Sequence, residues 1–265
     1  YDGENLWVAN MDPDTEQAEV ALLNLDTLEV SAKIPLGQER GEAFISKIST
    51  DGLVFVSLLS QGEVVVIDAA QLKVVDRLSA NKIACDVDIV VLSDGSEFAY
   101  IPNREADTIQ IVDAKTSQII STIDQPEGSA PWMLAVAPDG LHVWVQDQKS
   151  NTNSILDTKT LEAVKRMPTG NVPSMVAFSP DGTEAYTGHA KDAIVIVSDV
   201  QTYEELERIY IGQNPLFVIF SPDGKHAYAT VMRENSVAVI DTATRKIVKR
   251  IEVRRSPAGV YMLPR

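Results

Sequence analysis

Between Asn214 and Val253 the chain alternates four short apolar runs with three polar breaks. The runs are Leu216–Phe220, His226–Val231, Ser236–Ile240 and Lys246–Val253. The breaks are Ser221-Pro222-Asp223-Gly224, Arg233-Glu234-Asn235 and Asp241-Thr242-Ala243-Thr244. Runs this short, rich in β-branched and aromatic residues and parted by Asp-Gly and Asx turns, predict a four-stranded antiparallel meander.

The same pattern recurs along the whole chain. An Asp-Gly turn follows the first run at Asp2, Asp51, Asp94, Asp139, Asp181 and Asp223, spaced by 49, 43, 45, 42 and 42 residues. An aromatic stands in the second run at Trp7, Phe55, Tyr100, Trp144, Tyr186 and Tyr228, and an Asp closes the third at Asp26, Asp68, Asp113, Asp157, Asp199 and Asp241. Three markers in step, with a period in the forties and four strands per repeat, define propeller blades. Glycine accepts positive φ in the tight turn, aspartate caps turn amides, and the aromatic packs on the next blade. These positions are therefore read as serving the fold.

The expectation is an all-β chain, a single six-bladed β-propeller domain over residues 1–265 made of four-stranded antiparallel blades. The first unit lacks its first strand, and Ser256–Leu263 matches the missing piece in type and phase. The C-terminal strand is thus expected to pair into the N-terminal blade and hide both edges. Blade 1 is then 1–37 plus 256–265, with blades 2 to 6 at 42–78, 85–123, 131–167, 173–211 and 214–253. A bulge is expected in blade 5 at Ile196–Asp199, and a projecting acidic loop at Met11–Glu19.

The repeat's residues, Asn-Pro-x-x-Val-x-Phe-Ser-Pro-Asp-Gly onward to Asn235-Ser236-Val237-Ala238-Val239-Ile240-Asp241-Thr242, resemble the YVTN family of β-propeller repeats. The tetrapeptide naming that family appears as Trp7–Asn10, Phe55–Leu58, Tyr100–Asn103, Trp144–Asp147, Tyr186–His189 and Tyr228–Val231. The resemblance covers the whole chain. Seven blades are common in that family, and six repeats are present here. The Gly-His and Trp-Asp marks of WD40 blades are absent. Relatives of this repeat include surface-layer proteins and periplasmic haem- or quinone-linked redox proteins. The resemblance therefore implies an exported protein, periplasmic, cell-surface or secreted, with a binding role.

Composition narrows the partners. A net charge of −15 argues against nucleic acid and anionic membranes, both of which favour basic surfaces. No apolar run approaches the length of a membrane span, so no membrane insertion is expected. One cysteine, Cys85, allows no intrachain disulfide. The first residue is Tyr1 rather than Met, as expected of an export product or a trimmed chain. A monomer is expected.

Function should lie where the repeat is broken, on the loops joining strand two to three and strand four to the next strand one. The fourth tetrapeptide position forms one ring: Asn10, Leu58, Asn103, Asp147, His189 and Val231. His189 is the most suggestive member, weighed against an ordinary exposed loop histidine. The blade-entry loops form a second ring with Glu39, Arg40, Glu42, Lys82, Cys85, Asp86, Glu127, Trp132, Asn171, Asn214, Arg254 and Arg255. Arg254, Arg255, Arg40 and Arg104 together can make a basic spot that holds a carboxylate. Trp132 suits an apolar or sugar face, or core packing.

The ligand-binding candidates are thus Arg40, Glu42, Asn103, Arg104, Trp132, Asp147, His189 and Arg254. No phosphate loop, His-Glu-x-x-His, Gly-x-Ser-x-Gly, Cys-x-x-Cys-His or cysteine cluster occurs. The leading reading is a non-enzymatic scaffold, with no cofactor, binding a protein or small molecule at its loop face. A second is a calcium-dependent lactone hydrolase of the gluconolactonase kind, with Glu42, Asn103 and Asp147 as metal candidates. A third is a redox-partner propeller for a haem or quinone protein.

Overall fold

A computed structural model describes residues 3–12, 14–40, 43–59, 61–80, 83–84, 86–257 and 259–261, without the side chains of residues 38–40, 45 and 46. Two compact units emerge, Tyr1–Trp132 and Met133–Arg265. The first holds a sheet of β1 (Asn5–Met11), β2 (Gln17–Asn24) and β3 (Val30–Arg40). Its second sheet is β4 (Ala43–Ile48), β5 (Leu53–Leu58), β6 (Glu63–Asp68) and β7 (Lys73–Ser79). Its third is β8 (Asp88–Val91), β9 (Glu97–Asn103), β10 (Thr108–Asp113) and β11 (Gln118–Asp124).

The second unit repeats the plan three times. Its sheets are β12 (Pro131–Val136) to β15 (Ala163–Pro168), with β13 (His142–Asp147) and β14 (Thr152–Asp157) between. Next come β16 (Pro173–Phe178), β17 (Glu184–His189), β18 (Ile194–Asp199) and β19 (Glu205–Tyr210). Last are β20 (Pro215–Phe220), β21 (His226–Val231), β22 (Ser236–Asp241) and β23 (Lys246–Glu252). Every pair is antiparallel and consecutive. Strand limits follow the apolar runs to within one residue at most places, because the turn residues between them fix the breaks.

Within each unit, neighbouring sheets pack face to face. In the first, Trp7, Leu22 and Ile34 meet Val54, Val56 and Leu58, while Phe55, Val64 and Val66 meet Ala99, Ile101 and Val112. In the second, Trp144, Ile155 and Met167 meet Val176 and Ala185, while Tyr186, Val195 and Val197 meet Val218, Ala227 and Ala229. The aromatic marker does the work expected of it. Trp144 stands edge-on to Phe178 at 5.6 Å between ring centres, and Tyr186 to Phe220 at 4.8 Å. The outermost strands β7, β11, β15, β19 and β23 are mostly exposed, and all of them carry charged residues, which protects an open edge.

Four expectations need correction. The bulge expected in blade 5 is present between Val197 and Ser198, yet the outermost hairpin of every sheet slips at the same register. It belongs to the repeat, and β18 is no longer than its siblings. Second, Asp26 is not the turn-capping residue of the first sheet. Asn24 Oδ1 takes the amides of Asp26 and Thr27, as Asp157 takes those of Lys159 and Thr160. Two Asx residues two apart are indistinguishable until the hydrogen bonds are seen.

Third, the acidic insertion does not project as a loose loop. β1 and β2 extend into it, Asp12 caps Asp14 and Thr15, and buried Glu19 meets Lys33 at 2.8 Å. Alternation of Ala18 and Val20 with Glu19 carries the strand through the acids. Fourth, the first sheet has three strands among the described residues. Of the expected closing segment, Ala258 and 262–265 lie outside the described residues, and Ser256, Pro257 and Gly259–Tyr261 form no strand.

Candidate functional site

The fourth tetrapeptide residue ends the second strand of the last five repeats and stands one residue before the end of β1 in the first. Leu58, Asn103, Asp147, His189 and Val231 are all buried there; only Asn10 is exposed, with its amide on Glu19 at 3.3 Å. The expected loop histidine is therefore an interior one, with His189 at 0% exposure. The reason is strand alternation. Ala185 packs against the Trp144 sheet, so Thr187 and His189, two and four residues on, share that inward face.

His189 Nε2 lies 2.8 Å from Thr169 Oγ1. Burial pulls its pKa down to about 4, against the opposing pull of the Asp192 carboxylate and the Thr187 backbone. Gly170 sits over the ring, where an added Cβ would stand 2.7 Å from His189 Cδ2, so no side chain fits.

Asn103 donates to Thr108 Oγ1 at 3.2 Å, while its buried Oδ1 meets no donor. Asp147 Oδ2 accepts the Ser154 hydroxyl at 2.5 Å, and Arg166 donates to that same hydroxyl at 2.8 Å. The calcium implied by the hydrolase reading needs open oxygen ligands. Asp147 is already engaged through Ser154 beside a guanidinium, Glu42 lies outside the described residues, and among the described residues no group of three or more His, Cys, Asp or Glu gathers to hold a metal.

At the loop end of the first unit the Arg104 guanidinium lies 5.0 Å from the Trp132 ring centre, a cation–π contact that occupies both candidates with each other. The side chain of Arg40 lies outside the described residues, as do Lys82 and Cys85. Arg254 is exposed in the bend after β23.

The loops are tied by a recurring device. An acid or amide just after strand two grips the backbone of a blade-entry loop, that of the next sheet for Asp107 and Asn151 and that of its own sheet for Asp192 and Glu234. Asp107 takes Gly128 N and Ala130 N, both at 2.7 Å. Asn151 takes Val172 N at 2.9 Å, Asp192 takes Asn171 N at 2.6 Å, and Glu234 takes Gln213 N at 2.9 Å. These bonds hold the Asp192 carboxyl below its usual range, the Asn171 backbone contributing most.

Two cavities open in the second unit, at opposite ends of β17, β18 and β19. The loop-end cavity, about 480 Å³, is lined by Val172, Ala190, Lys191, Ala193, Tyr210, Gln213, Asn214 and Arg233. The turn-end cavity, about 560 Å³, is lined by residues including Asp139, His142, Thr183, Asp199 and Tyr203. In the turn-end cavity each acid serves its own turn. Asp139 accepts Leu141 N and meets His142 Nδ1 at 2.7 Å, and Asp199 accepts Gln201 N and Thr202 N. In the loop-end cavity the charged groups are Lys191 and Arg233, and neither forms an ion pair with a described carboxylate.

Sequence reading stops at His189 and passes over these two cations. A signal was present: Lys149, Lys191 and Arg233 stand two residues past the tetrapeptide in three successive repeats, where the first three repeats carry Asp12, Ser60 and Glu105.

This architecture is that of a β-propeller-type protein. A 16% identical solved structure, hydrazine synthase from Kuenenia stuttgartiensis, superposes with a TM-score of 0.80 over 97% of this chain and 86% of that one. A protein from Bacteroides uniformis ATCC 8492 described as a "putative 6-phosphogluconolactonase" gives 0.79 at 14% identity, over 97% and 84%. A functionally unknown protein from Desulfotomaculum acetoxidans DSM 771 gives 0.75 at 21% identity, over 95% and 83%. At these identities the likeness concerns the fold alone. In sequence, the chain is 28% identical over 144 residues to the uncharacterized protein YncE of Salmonella typhi and of Salmonella typhimurium strain LT2. That match spans 52% of this chain and 39% of the length of those relatives. No protein-family profile matches the chain. Among the described residues no helix is long and apolar enough to cross a membrane.

Proposed function

We propose that the protein is a non-enzymatic binding propeller that takes its partner at the loop face. In this reading the six repeats are six blades of the YVTN kind. The protein works as an exported monomer. The observation that supports the reading best is the contrast between the loop-end groups. The acids there are held by loop amides, which leaves Lys191 and Arg233 on a cavity wall with no ion-pair partner among the described residues. Cations beside amides suit recognition of a ligand, and function on this fold is carried by such local sites rather than by the sheets.

The experiment is a lactone-hydrolysis assay run beside thermal melts with and without calcium chelator. The binding reading expects no turnover and an unchanged melt. Turnover together with a chelator-sensitive melt overturns it in favour of the lactone hydrolase, because a resident ion stabilises by mass action. A visible chromophore in purified protein would favour the redox-partner reading instead.

A further inference from the structure

The loop-end cavity carries more information than the presence of a site. Its two cations belong to a row, Lys149, Lys191 and Arg233, one from each sheet of the second unit at the same repeat position. The acid that follows each of the last two is turned away. Asp192 takes both the Asn171 amide nitrogen at 2.6 Å and its side-chain amide at 2.8 Å. Glu234 takes Gln213 N at 2.9 Å, with Arg250 at 3.5 Å. The chain makes room for this: a Cβ on Gly170 would stand 2.9 Å from Asp192 Oδ2, and one on Gly212 2.5 Å from Glu234 Oε1. Neither carboxylate can swing back to neutralise Lys191 or Arg233 without releasing a loop. On a protein of net charge −15, a cavity whose acids are held elsewhere and whose cations are left over is built for an anion.

We propose that this cavity binds a small organic anion, a carboxylate or phosphate group between Lys191 and Arg233 with a planar body against the Tyr210 ring. Arginine offers a fork matching either group, and lysine adds a point charge. Tyr210 is 65% exposed, which leaves its ring available as a plate beside the cations. Gln213 and Asn214 stand on the same wall, the Asn214 amide also donating to Met232 Sδ at 3.5 Å. A volume of about 480 Å³ suits a ligand of metabolite size. This inference rests on the loop-face binding reading and names its ligand class.

The test is isothermal titration of the full chain with phenyl phosphate, benzoate, inorganic phosphate and phenol at low salt. Phenyl phosphate or benzoate is expected to bind more tightly than inorganic phosphate, with phenol silent and affinity falling as salt rises. The stronger of the two ring anions identifies phosphate or carboxylate as the natural group. Lys191→Ala and Arg233→Ala are each expected to weaken binding about tenfold or more, since each removes a charge-assisted contact. Both sites are exposed, so the melt serves as the folding control. Lys149→Ala removes the same charge outside the cavity lining and is expected to change affinity less than twofold. Equal losses in all three variants, or phenol binding as well as the anions, would overturn the site. If both ring anions fail to bind while lactone turnover is also absent, the anion class falls and the binding reading stands; turnover itself would remove the binding reading.

Discussion

The two cavities of the second unit lie at opposite ends of β17, β18 and β19 and differ in what their charged groups are doing. At the turn end, Asp139 and Asp199 are held by the amides of their own turns, and His142 leans on Asp139. At the loop end, the acids are again held by amides, but Lys191 and Arg233 have no such duty. A count of charges would call the first pocket acidic and reactive and the second unremarkable. The hydrogen bonds reverse that ranking. Groups that repeat in every blade are consumed by the blade, and the groups left over lie at slots outside the repeated markers.

If that contrast is right, the turn end should govern stability and the loop end affinity. The largest effect is expected from Trp144→Ala. Its buried ring packs on Phe178 and on Tyr203, a wall of the turn-end cavity. The loss should be about 3–5 kcal/mol by chemical denaturation, with anion affinity unchanged in the protein that remains folded.

Acid comes next. The His189 pKa is about 4 in the fold, below the ordinary histidine value near 6.5 in the unfolded chain. A lowered histidine pKa means the unfolded chain takes up the proton first. Stability should therefore fall as pH drops from about 6.5 towards 4, by about 3 kcal/mol over the window. Melts of the wild type and His189→Gln from pH 7.5 to 4.5 check this, and the variant should lose the slope. The Asx carboxylates act lower down. Backbone bonding from Thr160 leads in depressing Asp157, and that from Thr202 leads for Asp199, so their contribution is present above the unfolded carboxylate pKa and lost as pH falls through the depressed values. Melts carried below pH 4 should show a second decline that His189→Gln does not remove.

A smaller effect is expected from Asp157→Ala, which strips a turn of its cap. The melting temperature should drop by a few degrees without any change in anion binding. The smallest stability change belongs to Lys191→Ala, within about 0.5 kcal/mol of wild type as for other surface sites. A large loss there would erase the contrast between the two ends.

The turns were the legible part of this chain because their chemistry is narrow. Gly52, Gly95, Gly140, Gly182 and Gly224 all take positive φ after an aspartate, as the repeated Asp-Gly demands. Asp113, Asp157, Asp199 and Asp241 all cap the turn that follows. Burial was less legible. Asn103, Asp147 and His189 are polar residues at the end of an apolar run, and polarity suggests exposure. The sheets bury them regardless, since the last strand residue still lies between two packed faces. Lys191 and Arg233 were missed for a different reason. Cations beside an Asp or Glu suggest local ion pairs, and only the geometry reveals that those acids bond to loop amides.

The outermost hairpin turns carry a feature with practical weight for anyone wishing to harden this protein. Leu28, Leu72, Ser117, Leu161, Tyr203 and Arg245 all occupy the left-handed region, with φ between 53° and 63°, where side chains other than glycine and asparagine sit uncomfortably. Leu28, 71% exposed, contributes little packing to offset that discomfort. Evolution has tolerated a leucine where a backbone-friendly residue would rest more easily, so Leu28→Asn marks a ready starting point for thermostable variants.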